Sequence, residues 1–161
     1  MTFTQIHPQL ARHLVLIDIE NLVATSSPTK GEVAVARANL RSVVPDLEEA
    51  QCIVACSHHA APAVAFEFYG ARHLWKSGPD GADLALLSVL TNERVEQRFG
   101  RVTLCSGDGI FSESVAWLAS ERVEVTVVAL AVALAVRLQL AARSVIEFPS
   151  VSSSVNFGSA S

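Results

Sequence analysis

Short runs of aliphatic residues alternate along this chain with stretches in which apolar residues recur at helical spacing. The aliphatic runs are bounded by charged and turn residues, and their length is typical of strands covered on both faces of a parallel sheet. They predict strands over residues 13–18, 51–57, 71–75, 101–106 and 124–129, with an edge strand at 144–148. Helical spacing predicts helices over residues 32–47, 62–69, 81–99, 111–121 and 132–142.

This alternation of strands and helices predicts one α/β domain, with a three-layer, doubly wound arrangement around a mainly parallel, Rossmann-like sheet. The length of 161 residues leaves room for a single domain, which we place at residues 13–148. Residues 1–12 are expected to form a loosely ordered leader. Residues 149–161 are rich in serine and are expected to form a flexible tail.

Composition narrows the class of protein. An apolar fraction of 50% and a charged fraction of 17% exclude an intrinsically disordered chain. The formal net charge of −4 provides no broad basic surface, which weighs against a nucleic-acid partner but leaves open a nucleic-acid enzyme whose site is built from acids and metal ions. The longest uncharged apolar run, residues 125–136, is shorter than the ~20 residues that span a bilayer, and no secretory signal pattern is present. We therefore expect a soluble, cytoplasmic protein with no membrane partner.

The cysteine and tryptophan residues lie in predicted elements of the core. Cys52, Cys56 and Cys105 fall within aliphatic runs and lack a second Cys or His pair, which favours buried, reduced thiols over a zinc site. Trp75 and Trp117 are predicted to pack in the core, with stacking on nucleic-acid bases as the alternative.

Aspartates follow the predicted strands at the positions where open parallel sheets bind ligands. Asp18 ends the first strand, Asp80 and Asp83 open the third predicted helix, and Asp108 follows the fourth strand. In such sheets the ligand crevice lies beyond the carboxyl ends of the strands, so we expect these acids, with Glu20, at one edge. Clustered carboxylates repel one another, and a buried carboxylate needs a partner. A hard divalent cation such as Mg²⁺ or Mn²⁺ would satisfy both requirements.

Two of these acids also have simpler structural explanations. Asp80 could cap the helix that follows it, and Asp108 could hydrogen-bond its own backbone in a tight turn. Asp83 lies one turn inside its helix and is explained less well by capping. Asp18 follows four aliphatic residues at the end of a strand, where no Lys or Arg is near in sequence.

Three short motifs occur in a fixed order: Asp18-Ile-Glu-Asn21, Gly78-Pro-Asp-Gly-Ala-Asp83, and Ser106-Gly-Asp108 followed by Phe111. With the predicted elements around them, they resemble the NYN domain, a family in the PIN-like group of metal-dependent ribonucleases. The resemblance covers residues 13–148. It implies that Asp18, Asp83 and Asp108 are the catalytic acids that bind Mg²⁺ or Mn²⁺, and that the partner and substrate is RNA, hydrolysed by a metal-activated water.

The resemblance and the positions of nearby residues also suggest supporting roles. Asn21 would orient the first loop, and Glu20 and Asp80 would serve as outer or second-metal acids. Substrate phosphates are expected at backbone N–H groups at the start of the helix that contains Phe111, where Ser106 and Gly107 allow close approach. Lys76, Arg72 and Arg12 are candidate contacts to the substrate backbone, with solvated surface charge as the alternative for each.

A second function is left open by the sequence: an inactive NYN-like module that binds RNA or a protein without cleavage. Many family members have a second acid where this chain has Ile110, and another acid in the third helix near Ser88 and Val89. The apolar run 125–136 could also contribute to a homodimer interface. Receiver domains and haloacid-dehalogenase phosphatases are disfavoured because no lysine follows Lys76, and neither glycine-rich nucleotide motif occurs.

Overall fold

A computed structural model describes the backbone of residues 11–154 and the side chains of residues 11–152. It contains a six-stranded sheet in which every neighbouring pair is parallel, in the order β3-β2-β1-β4-β5-β6. The strands are β1 (His13–Asp18), β2 (Gln51–Cys56), β3 (Arg72–Trp75), β4 (Arg101–Cys105), β5 (Glu124–Ala129) and β6 (Ser144–Glu147). The predicted doubly wound α/β fold is therefore confirmed.

Helices cover both faces of this sheet. They are α1 (Ile19–Val23), α2 (Lys30–Val43), α3 (Ala61–Glu67), α4 (Gly81–Asn92), α5 (Val95–Arg98), α6 (Ser112–Ser120), α7 (Val136–Ala141) and α8 (Val151–Ser154). Alternate residues of a strand point to opposite faces, so Val15 and Ile17 pack with α1, α2, α3 and α8, whereas Leu14 and Leu16 pack with α4, α5, α6 and α7. Among the described residues, no helix is long and apolar enough to cross a membrane.

Two predicted helices are broken in the structure. The helix predicted over residues 81–99 is divided between α4 and α5 because Arg94 has a φ of 50°, in the left-handed region that ends a right-handed helix. The helix predicted over residues 132–142 begins only at Val136. The N–H of Ala135 donates to the carbonyl of Gly107 at 2.9 Å, which holds the preceding backbone against the loop after β4.

The folded region extends beyond the predicted boundary at residue 148. Val151 is buried against the α2 face of the sheet, and the Asn39 side chain donates to the Pro149 carbonyl at 3.2 Å. The flexible tail predicted from residue 149 is therefore wrong for residues 149–152. The rest of the predicted tail and most of the predicted leader, residues 155–161 and 1–10, lie outside the described residues.

The predicted burial agrees with the structure for Cys56 and Cys105, whereas Cys52 is only partly buried and the two tryptophans are not in the core. All three cysteines are free, and burial raises the pKa of Cys56 to about 11, which keeps this thiol protonated and unreactive. Trp75 and Trp117 are 50% and 44% exposed, so the predicted core packing is wrong for both. The apolar run 125–136 is divided: Val125 is buried in β5, whereas Val132 and Val136 are exposed. The homodimer stays a prediction.

A polar network closes the amino edge of the sheet, opposite the strand ends that carry the candidate acids. Asp46 Oδ2 lies 2.8 Å from His13 Nδ1 and accepts a hydrogen bond of 2.7 Å from Arg101. His13 Nε2 lies 2.7 Å from the Thr103 hydroxyl, which is buried. Burial raises the pKa of Asp46, but the hydrogen bonds from His13 and Arg101 outweigh it and hold the pKa below its usual value. Because Thr103 is inaccessible, this arrangement is structural rather than a nucleophilic relay.

We predict that Asp46→Asn lowers the free energy of unfolding at pH 7 by about 1–2 kcal/mol, since it removes the charge that His13 and Arg101 bind. A lowered native pKa means that this stabilisation is present above the usual Asp pKa and is lost as the pH falls through the lowered value. Urea unfolding at pH 7 and pH 3 measures both effects. Glu49→Gln, the same charge change at an exposed neighbour, is the control. If both variants lose the same free energy of unfolding at pH 7, the interaction of Asp46 with His13 and Arg101 does not stabilise the protein as predicted.

Candidate functional site

The order of the strands reverses between β1 and β4, which are neighbours at the centre of the sheet. The chain leaves β1 toward one face through α1 and leaves β4 toward the other through α6. The two connections diverge at the carboxyl edge, and such a switch point opens a crevice in doubly wound sheets. Asp18 ends β1 and Asp108 follows β4, so both lie at this point.

Asp18 is held by the end of its strand and the start of α1. It is 4% exposed, and its Oδ1 accepts a hydrogen bond of 3.2 Å from the N–H of Asn21, which caps the helix. Alternation along β1 places Asp18 on the same face as Leu16, which is the face that α4 covers. The carboxyl group therefore points toward the first turn of α4.

Asp83 is supplied to the same crevice by α4, which runs from the carboxyl edge and packs across β3, β2 and β1. The helix starts close to the end of β3 because Gly81 has no side chain. A Cβ there would overlap the Lys76 carbonyl oxygen and lie 2.9 Å from its carbon. Asp83 is 8% exposed, and among the described residues its Oδ1 has no hydrogen-bond partner.

The carboxyl groups of Asp18, Asp83 and Asp108 interact directly, although 65 residues separate the first two along the chain. Burial raises the pKa of Asp83 to about 9, and the neighbouring Asp18 and Asp108 carboxylates contribute to the shift. Burial also raises the pKa of Asp18. Burial and the adjacent Asp18 carboxyl group favour the protonated form of Asp83, so at neutral pH this pair holds one proton rather than two adjacent charges.

Asp108 has both a local and a tertiary role. Its Oδ1 accepts a hydrogen bond of 2.9 Å from the N–H of Ile110, which caps the 3₁₀ turn over Gly109–Phe111. Its own N–H donates to the buried Ser106 hydroxyl at 3.3 Å. The simple turn explanation therefore applies to Asp108, but it does not account for the contact of the same carboxylate with Asp83.

Asn21 and Glu20 join the loops around the acids. Asn21 Oδ1 accepts a hydrogen bond of 3.0 Å from the N–H of Gly107, which links the connection after β1 to the connection after β4. Glu20 Oε1 accepts a hydrogen bond of 2.9 Å from the N–H of Ser57, which links it to the end of β2. Three strand ends are thereby fixed relative to one another.

Three backbone N–H groups in the loop after β4 are engaged within the chain. The N–H of Gly107 donates to Asn21, that of Asp108 to Ser106, and that of Ile110 to Asp108 Oδ1. Gly107 does allow close approach, but of the chain itself: a Cβ there would overlap the Ala133 carbonyl oxygen. The phosphate site expected at the start of the helix that contains Phe111 stays a prediction.

The other predicted residues divide between the two edges of the sheet. Asp80 and Lys76 are exposed in the loop before α4, at the same edge as the acids, and the Asp80 side chain makes no capping hydrogen bond. Arg72 begins β3 and pairs with Glu93 at 2.8 Å, at the far end of α4. Arg12 precedes β1 and donates to the Gln51 side chain. Arg72 and Arg12 therefore lie toward the opposite edge, away from the expected substrate.

One basic side chain beside the crevice, that of Arg137, was not predicted from the sequence. The Arg137 guanidinium lies against Gly109, the residue after Asp108, so closely that a Cβ there would overlap Nε and lie 2.9 Å from one terminal nitrogen. Arg137 follows a long apolar run and is separated from Asp108 by 29 residues, so nothing in its local pattern indicates the contact.

The side-chain oxygens at the centre suit a hard cation, but they do not form a complete set of metal ligands. Every side-chain donor at the centre is a carboxylate oxygen, which Mg²⁺ and Mn²⁺ prefer. Among residues 11–152, however, no three His, Cys, Asp or Glu side chains are spaced to hold a metal ion by themselves. An ion here would therefore take water molecules as further ligands, as Mg²⁺ commonly does with one or two carboxylates.

Comparison with known proteins supports the fold more than the chemistry. No protein-family model matches the sequence, and no curated protein matches it. A solved protein of unknown function from Vibrio parahaemolyticus aligns with a TM-score of 0.62 and 17% identity, over 90% of this chain and 97% of that one. MAR1 ribonuclease from Caenorhabditis elegans aligns with a TM-score of 0.44 and 10% identity, over 94% of this chain and 82% of that one. The first similarity shows a shared fold alone, and the second is too weak to carry an argument.

We predict that Asp83 makes the stability of the metal-free protein depend on pH. Because its native pKa is raised above the unfolded value, the native state keeps a proton that the unfolded state releases, and the free energy of unfolding falls as the pH rises toward 9. Asp83→Asn imitates the protonated carboxyl and removes this loss. Urea unfolding in EDTA measures this effect. The free energy of unfolding of Asp83→Asn, relative to that of the wild type, should rise by at least about 1 kcal/mol between pH 5 and pH 8.5.

Asp80→Asn is the control, since Asp80 is exposed at the same edge and asparagine tolerates its φ of 57°. Its pH profile should parallel that of the wild type. A parallel profile for Asp83→Asn as well would show that the Asp83 carboxyl is not perturbed.

Proposed function

We propose that this protein is a metal-dependent ribonuclease of the NYN type, in which Asp18, Asp83 and Asp108 hold Mg²⁺ or Mn²⁺ and RNA phosphodiester bonds are hydrolysed. The convergence of these carboxyl groups at the switch point of the sheet carries the proposal. The choice of RNA rests on the resemblance of the three sequence motifs to the NYN domain.

Asp83 Oδ1 has no hydrogen-bond partner within the part of the chain that the structure describes, which supports a cation rather than a structural hydrogen bond. A buried polar atom without a partner is costly in a folded protein and is retained where another group satisfies it. Burial and the neighbouring carboxylates make the doubly ionised pair unfavourable without positive charge. A divalent cation that displaces the Asp83 proton would satisfy the oxygen and remove the repulsion together.

The bound ion would polarise the phosphate and lower the pKa of the attacking water. The residues of the chain arrange this chemistry. Asn21 and Glu20 fix the loops through Gly107 and Ser57, so the carboxylates keep their positions as a substrate approaches. Asp80 is exposed beside them, where it could accept a proton or orient a water molecule.

An inactive module that binds RNA or a protein is the second candidate, and Ile110 favours it. This residue packs against the apolar cluster beneath α6 and leaves no second acid next to Asp108. Ser88, where many family members have another acid, accepts a hydrogen bond from Asn92 on α4. The centre therefore has fewer acids than that of many family members, and a cleavage assay separates the two candidates.

We predict that the purified protein cleaves 5′-labelled single-stranded RNA with Mn²⁺ and that EDTA abolishes the cleavage. Asp18→Asn and Asp108→Asn should each reduce the rate by more than about 100-fold, since even groups that only orient metal ligands contribute about 10- to 100-fold. Asp46→Asn, which removes an acid at the opposite edge, is the control. Equal background cleavage in wild type and Asp18→Asn would overturn the enzyme, and RNA binding without cleavage would favour the inactive module.

We also predict that Mn²⁺ stabilises the wild type by about 2.7 kcal/mol at about 100 times its Kd, because it binds only the native state. Binding at pH 7 should release about one proton, the one that Asp83 holds. Thermal unfolding and calorimetry in two buffers of different ionisation enthalpy measure these effects. Asp83→Asn should show neither, whereas Asp46→Asn, which removes an acid at the opposite edge, should keep both. A wild type that Mn²⁺ does not stabilise would remove the metal site from the proposal.

A further inference from the structure

We propose that Arg137 binds a phosphate of the RNA strand on the Asp108 side of the acidic centre. This inference rests on the proposed function and adds to it a substrate-binding residue from the opposite end of the chain. It also supplies a phosphate contact beside a loop in which the N–H groups of Gly107, Asp108 and Ile110 are already engaged.

The position of Arg137 is built into the fold. Leu138, the next residue, is fully buried against the sheet, and Ala135 is tied to the Gly107 carbonyl at 2.9 Å. These contacts hold the start of α7 beside the loop that carries Asp108. The absence of a side chain at Gly109 provides the space in which the guanidinium lies, with Cζ 3.0 Å from where a Cβ would be.

Structural stability does not explain this placement. The described part of the chain gives Arg137 no hydrogen bond and no carboxylate within 4.0 Å, so no ion pair within that part holds its guanidinium beside Gly109. Arg137 also lies in the first turn of α7, where the helix dipole disfavours a positive charge. An exposed guanidinium without a protein partner keeps its donors available for a ligand.

The chemistry of the site selects a phosphate as that ligand. A polyanion that approaches several carboxylates needs cations that guide it, and the net charge of the chain is −4. Lys76 is exposed where β3 ends, and Arg137 lies beyond β4 on the other side of the acids. The two cations flank the centre along the sheet edge, and the planar fork of Arg137 suits a phosphate through paired hydrogen bonds.

The test measures binding of 5′-fluorescein-labelled single-stranded RNA by fluorescence anisotropy in EDTA, where cleavage does not interfere. Arg137→Ala should weaken binding about 10-fold and reduce the slope of log Kd against log salt concentration by about 0.7, the value for one lost phosphate contact. Arg143→Ala removes the same charge at an exposed position directly before β6, at the opposite edge, and should change neither quantity.

Gly109→Ala separates the position of the guanidinium from its charge. The backbone of Gly109 is outside the left-handed region, and the three atoms nearest to its added Cβ all belong to the end of the flexible Arg137 side chain, so the variant should fold. It keeps the net charge but displaces the guanidinium, and it should weaken RNA binding in the same direction as Arg137→Ala. Both variants should retain the Mn²⁺-induced rise in Tm, which a general disturbance of the acidic centre would remove.

The outcomes separate this inference from the function on which it rests. If the wild type binds and cleaves RNA and Arg137→Ala matches it in affinity and salt dependence, the role of Arg137 is wrong and the ribonuclease stands. If Arg137→Ala weakens binding but the wild type does not cleave, Arg137 is supported in a binding module. If the wild type neither binds nor cleaves RNA, both proposals fall, whether or not it binds a protein.

Discussion

Asp83 is buried beside two other carboxyl groups at the place where the order of the strands reverses, and the properties of the candidate site follow from the resulting repulsion. In the absence of a cation, a proton reduces the negative charge, and the pKa of Asp83 rises to about 9. One oxygen of this residue stays without a partner among the described residues. A folded protein tolerates such an arrangement where a ligand compensates for it, and a divalent cation is the ligand that these oxygens suit.

The surrounding structure is organised to maintain this strained centre. Asn21 and Glu20 do not point freely into the crevice but accept hydrogen bonds from Gly107 and Ser57, and so join the ends of β1, β2 and β4. Close backbone contacts at Gly81 and Gly107 bring α4 and the segment before α7 against the same edge. At the opposite edge, Asp46 is hydrogen-bonded to His13 and Arg101, so this partly buried carboxylate is satisfied by the protein itself.

Most of the elements could be predicted from sequence because their signals are local. Aliphatic runs and helical spacing gave the parallel sheet and the helices that cover it. The errors occur where a distant contact overrides the local pattern. The helix predicted from residue 132 begins at Val136 because Ala135 donates to Gly107, and Val151 is buried although it lies in a serine-rich segment. The prediction of core packing fails for Trp75 and Trp117, which are half-exposed. Hydrophobicity alone does not show which side of an element faces solvent.

The sequence by itself determined which acids follow which strands, and the parallel order of those strands then required Asp18, Asp83 and Asp108 to share one edge. Only the tertiary structure decided which basic side chains lie near these acids. Arg72 and Arg12 lie toward the other edge, whereas Arg137, from an apolar segment late in the chain, lies against Gly109. The physical reason is that a strand end has a fixed place in a sheet, whereas the reach of a long charged side chain depends on how its helix packs.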